Sequence, residues 1–169
     1  LALATGDATS ALWHQAQTAA VGGVVALLKG RSAELANSPE TDLLIERCLL
    51  RPILQREHAE LLLAHAGLWR VRGDAAREQS LYDQALRIAS AADDTLMLGR
   101  IYGALGKFHE PRDADRSFAF YEDCTDCLWR AGVGEAPVEG EASGLTLDLL
   151  EEYEIALVRL AWLFLQRND

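Results

Sequence analysis

Cys124-Thr125-Asp126-Cys127 has the form of a ligand or redox pair, with His109 upstream. Thiolates at this spacing bind Zn²⁺ or cycle as a dithiol. A second C-x-x-C, or a histidine pair at ligand spacing, is missing from the sequence. On a helix, residues three apart hold their Cβ atoms about 5–6 Å from each other, beyond disulfide reach. Packing cysteines are therefore expected, with no metal and no cofactor. His58 and His65 share a helix face, but seven residues is two turns, roughly 10 Å, too far for one ion. Arg72-Gly73-Asp74 spells an integrin-type tripeptide; its setting reads as a turn. The sequence holds no phosphate loop, nucleophile elbow or H-E-x-x-H. No catalytic residue is assigned, and the chain is expected to be non-enzymatic. The residues best suited to binding are Arg70, Arg100, Arg159 and Trp162, because Arg makes bidentate contacts with carboxylates or phosphates.

Charge and composition narrow the partners. The net charge is −10, which disfavours a nucleic-acid backbone or an anionic membrane. The longest apolar run, residues 19–28, is shorter than the roughly 20 residues that span a bilayer. Half of the 169 residues are apolar, so a folded core is expected. Three sparse cysteines suit a reducing, cytoplasmic setting better than a disulfide framework. The segment Glu135–Glu154 carries seven carboxylates and no basic residue. It reads as a solvated face, with a basic partner or a cation as the alternative. The chain opens at Leu1 without Met and closes at Asn168-Asp169, which predicts a piece of a larger protein.

The elements that must position these residues are helical throughout. Residues 7–29 are expected to form a first helix, with Gly22-Gly23 as a break or a close contact. Residues 30–38 read as a connection. Ser38-Pro39 supplies a hydroxyl cap and a proline at the first helical position, for a helix that turns Leu43, Leu44, Cys48 and Leu49 inward. Residues 53–72 form the strongest helix, and Gly73-Asp74 turns the chain. Helices are expected over 75–92, 95–106, 115–131 and 145–167, with a loop over 132–144. No alternating strand pattern occurs.

One spaced pattern recurs in these helices. Ala66, Trp69 and Gly73 place a small residue, an aromatic and a turn-former; Gly99, Tyr102 and Gly106 repeat it 33 residues later. Ala161, Phe164 and Asn168 give it a third time. Tyr82 and Ala85 follow in the first repeat, and Tyr121 and Cys124 in the second, the latter after an apparent insertion over 109–114. A period of 33–34 marks helix–turn–helix repeats, and these residues resemble the tetratricopeptide repeat family. Glu78 departs from the Ala the family prefers there. The clearest repeats are 59–92 and 93–131, with a partial third over 154–169; Gly6, Asp7 and Ala11 could close an earlier one.

The resemblance implies an all-α fold, with antiparallel helical hairpins of residues 1–169 stacked in one domain as a right-handed superhelix. It also implies a concave face lined by the first helix of each pair, where Arg70, Arg100, Arg159 and Trp162 would project. The alternative is that these arginines sit in surface salt bridges. The expected function is a protein- or peptide-binding scaffold within a larger intracellular signalling protein, with an acidic segment as a fitting ligand. The other reading is a regulatory domain that senses a small anionic molecule. No nucleic acid or membrane is expected as partner, and a homo-oligomer is allowed. The family's Lys/Asn carboxylate clamp is not reproduced, so a chaperone tail is not implied.

Overall fold

The computed structural model describes residues 20–50, 53–133 and 144–168, and all of them lie in helices or the turns and short links between them. Helix α1 covers residues 20–35. It is followed by α2 (Pro39–Leu49), α3 (Gln55–Arg72), α4 (Ala75–Ala91), α5 (Thr95–His109), α6 (Ala114–Leu128), a π-helical turn at Trp129–Val133 and α7 (Gly144–Asn168). The fold is all-α, and no strand occurs among the described residues. The chain divides into two compact units, Leu1–Ile88 and Ala89–Asp169. The expectations for residues 1–19 and for 134–143 lie outside the described residues.

In the first unit, Val21, Val25 and Leu28 of α1 pack with Ile45 and Cys48 of α2 and with Leu61, Ala64 and Leu68 of α3. The 3–4 spacing of the α1 residues is the apolar stripe that a packed helix needs. That stripe carries α1 past Lys29, through the stretch expected to be a connection, as far as residue 35. A Cβ at Gly22 or Gly23 would meet nothing within 4 Å, so the pair is neither a break nor a close contact. Helix α2 begins at Pro39 as expected, but Ser38 does not cap its backbone. Its hydroxyl donates instead to Glu40 Oε2 at 2.6 Å. The inward face also differs: Thr41, Ile45 and Cys48 are buried, whereas Leu43 and Leu44 are exposed. A helix turns 100° per residue, so burial of Ile45 and Cys48 carries Leu43 toward water and leaves Leu44 at the edge of the buried face.

Two helix ends close alike. Gly73 sits at φ +76, with its N–H on the Arg70 carbonyl and the Asp74 N–H on the Trp69 carbonyl. Asp93 sits at φ 51, with its N–H on Ser90 and the Asp94 N–H on Ala89. In each case the left-handed residue lets two amides reach back to orphan carbonyls. The aspartate that follows caps the next helix: Asp74 Oδ1 accepts from Arg77 N–H, and Asp94 Oδ1 from Met97 N–H, both at 3.0 Å. Asp113 caps α6 in the same way, accepting from Arg116 N–H at 3.0 Å.

Gly106 is not a turn-former. It lies buried inside α5, where a Cβ would stand 3.0 Å from the Tyr121 ring. The Ser117 hydroxyl donates to its carbonyl at 2.8 Å. Lys107, Phe108 and His109 continue the helix, and the turn comes at 110–112. Gly99 is tighter still, since a Cβ there would meet Leu128 Cδ2 at 2.7 Å. Both glycines therefore serve the crossing of α5 on α6, where the Leu128 side chain and the Tyr121 ring fill the space that a Cβ would take. In the third copy of the pattern, Ala161 and Phe164 are exposed on α7, and the helix runs on through Asn168 rather than turning there. The second unit's core joins Tyr121, Cys124 and Leu128 of α6 to Leu149, Ala156 and Leu163 of α7.

Candidate functional site

Each candidate arginine faces a carboxylate. In the first unit, Arg70 Nε lies 2.7 Å from Glu78 Oε1. The Tyr82 hydroxyl donates to the same oxygen at 2.9 Å, and Arg70 Nη2 donates to the Tyr82 hydroxyl. Glu78 is 2 % exposed. The departure from the repeat pattern at Glu78 is thus the partner of the arginine singled out for binding. Burial pushes the Tyr82 phenol well above its ordinary range, which keeps it protonated as a donor.

The second unit repeats the arrangement with other residues. The Tyr121 hydroxyl donates to Glu110 Oε1 at 2.8 Å, and Arg159 Nε stands 3.6 Å from that oxygen. Arg100 Nε reaches both oxygens of Glu152, at 3.1 and 3.0 Å. Glu152 belongs to the acidic run read as solvated, so that run supplies a structural acceptor. The sequence did signal one of these partners, since Glu78 stands where a small residue was expected. Nothing in the spacing pointed to Glu110 or Glu152, 49 and 52 residues from their arginines.

Trp162 lies elsewhere in character. It is 46 % exposed on α7, among Ile155, Leu157, Val158, Phe164 and Leu165, all exposed. An apolar groove of about 460 Å³ runs beside them, lined by Phe118 and Glu122 of α6 and by Leu157, Leu160, Ala161, Phe164 and Leu165 of α7. Protein surfaces commonly scatter such residues singly, and here they form a contiguous band. This band is a feature that the sequence reading reduced to Trp162 alone.

The remaining chemistry-bearing residues are packed. Cys48, Cys124 and Cys127 are buried and free. The Cys124 thiol is pushed up to about 12, first by burial and then by the Glu152 carboxylate. A thiol so held is a poor nucleophile and a poor metal ligand. Its sulfur occupies the space that Gly103 leaves, 3.2 Å from where a Cβ would stand. His65 Nε2 accepts from Trp69 Nε1 at 2.9 Å. Arg72 is spent within the fold, on the Ala36 carbonyl and on Asp42 Oδ1 at 2.9 Å, so the Arg-Gly-Asp tripeptide presents no extended arginine. Among the described residues, no cluster of three His, Cys, Asp or Glu could hold a metal ion, and no helix is long and apolar enough to cross a membrane. Compared with known protein families, curated proteins and solved structures, the chain matches none of them.

Proposed function

We propose that this chain is a non-enzymatic interaction module of a cytoplasmic protein, and that it binds a protein or an extended peptide through the C-terminal half of α7. One observation carries the reading: residues 155–165 of α7 are apolar on nearly every side, and the side away from α6 is exposed. A helix apolar all round belongs in a buried setting, so a partner must complete it. The repeat reading is part of the same proposal. It is supported by the left-handed turn at Gly73 and the close crossing at Gly99. Anionic ligands find less support, because Arg70, Arg100 and Arg159 each already face a carboxylate. In this reading the three arginines hold the fold, and Trp162 with its apolar neighbours does the binding.

Affinity capture from cell extract with the wild type and with Leu157→Asp tests it. Loss of the captured partners with Leu157→Asp, at unchanged helical circular dichroism, is the expected result. Equal capture by both would move the binding surface off α7.

A further inference from the structure

Helix α7 carries two seams of heptad spacing. Leu149, Tyr153, Ala156, Leu160 and Leu163 follow steps of 4, 3, 4 and 3, and all belong to the cluster packed with α6. Ile155, Val158, Trp162 and Leu165 follow steps of 3, 4 and 3, and all four are exposed. On a helical wheel the second seam lies opposite the first. Apolar residues at a and d positions are what one helix presents to another.

We infer that the occupant of this second seam is α7 of a second copy of this chain, packed antiparallel. The inference rests on reading α7 as an interaction helix and names its partner. Three observations point to self-pairing. The first is self-complementarity. A two-fold axis level with Leu160 sets Ile155 against Leu165 of the other copy and the small Val158 against its large Trp162, each contact occurring twice with the roles exchanged, as in an isologous interface. Ala161 then falls beside the axis, where a small residue allows close approach.

The second observation is area. Ile155, Val158, Trp162 and Leu165 of the seam are each roughly half exposed or more, and Leu157 and Phe164 flank it on the side of the groove beside α6. The four seam residues offer on the order of 300 Å² per copy, a substantial part of the ~800 Å² per partner of a standard interface, and the flanking residues add to it. The third is direction. Asp148 and Glu151 continue the seam toward the N-terminus of α7. Parallel pairing would set each against its own copy, like charge on like charge. The antiparallel register carries both past the partner's Leu165, outside the apolar stretch.

The test is light scattering coupled to size exclusion, run over a range of concentrations on the wild type, Val158→Lys, Trp162→Glu and an equimolar mixture of the two variants. The wild type is expected at twice the 18.5 kDa chain mass. Each variant alone is expected to dissociate at least tenfold more readily, with unchanged circular dichroism, because one buried charge meets an apolar partner. Mixing them sets the introduced lysine against the introduced glutamate at one end of the seam and leaves the native Trp–Val contact at the other, so the dimer returns. A wild type that stays monomeric overturns the inference, as does a dimer that neither substitution weakens. If both weaken it and the mixture does not recover, the antiparallel register is overturned. A monomer whose capture of another protein still depends on Leu157 overturns self-pairing alone; capture indifferent to α7 overturns the interaction reading instead.

Discussion

At the scale of single residues, two tyrosines organise charge in the same way. Tyr82 and Tyr121 each donate to a glutamate that an arginine also holds, Glu78 with Arg70 and Glu110 with Arg159. The hydroxyl matters because a carboxylate taken from water needs every lone pair answered. Glu78 shows the stakes, being almost fully buried while the Arg70 side chain is 37 % exposed. Glu78→Ala would leave the guanidinium and the phenol without their acceptor. Breaking a buried pair costs ~3–5 kcal/mol; water reaching Arg70 reduces this, and the expected loss is about 2 kcal/mol. Urea denaturation measures it, and Glu78→Gln, which keeps an acceptor oxygen, should lose less. Equal midpoints for Glu78→Ala and wild type would mean that the carboxylate contributes nothing net. The arginines illustrate how far sequence reaches at this scale. Their residue type was legible, but an ion pair between helices depends on which faces cross, and Glu152 lies 52 residues from Arg100.

At the scale of elements, glycine does three different jobs, and substitution separates them. Gly73 holds φ +76 with open space around a would-be Cβ, so Gly73→Val is expected to cost more than ~1 kcal/mol through backbone strain alone. Gly99 has an ordinary helical backbone but no room, with Leu128 at 2.7 Å; Gly99→Ala should lose about 1–3 kcal/mol by overpacking. Gly67 lies inside α3 with nothing within 4 Å, and Gly67→Ala should gain ~0.5–1 kcal/mol from helix propensity. Thermal melts that rank the three variants otherwise would contradict these assignments. The sequence revealed the helices and the Gly73 turn because both follow from local chemistry. It could not tell Gly73 from Gly106, since identical spacing served a turn in one place and a helix crossing in the other. Leu43 and Leu44 show the same limit: they suit a core as residues, but the register that buries Ile45 leaves them in water. The second seam of α7 was present in the letters at 155, 158, 162 and 165. It became visible only once the first seam was known to be occupied.

At the scale of the whole molecule, the buried titrating groups predict a stability that falls at both ends of the pH range. In the first unit, burial lowers His65 and His58 below the ordinary histidine value. For His65, nearby Asp42 opposes this and Arg72 adds to it. Trp69 donates to its Nε2, and Nδ1 is buried without a partner, so a second proton would break one bond and find no other. A lowered folded value means that the unfolded state binds more protons. Stability from these groups is present above about 6.5 and is lost as pH falls through that value and below it. For the buried phenols and thiols the sign reverses, Tyr82 of the first unit among them. Cys124 rises from 9.0 to about 12, and burial with the Glu110 hydrogen bond carries Tyr121 upward too. Here the folded state keeps protons that the unfolded state has released. Stability is full below about 9 and falls as pH climbs toward 12, by at most ~1.4 kcal/mol per pH unit for each such group. Urea midpoints taken from pH 5 to 10.5 should therefore trace a dome. His65→Gln keeps an acceptor for Trp69 and removes the proton site, so it should flatten the acid limb and leave the alkaline one alone. Cys124→Ala should do the reverse, lowering the plateau through its small cavity while reducing the slope above pH 9. An acid limb that is unchanged in His65→Gln would assign that limb to His58, and the neutral His65–Trp69 pair would then hold no more of the first unit's stability than any other buried contact.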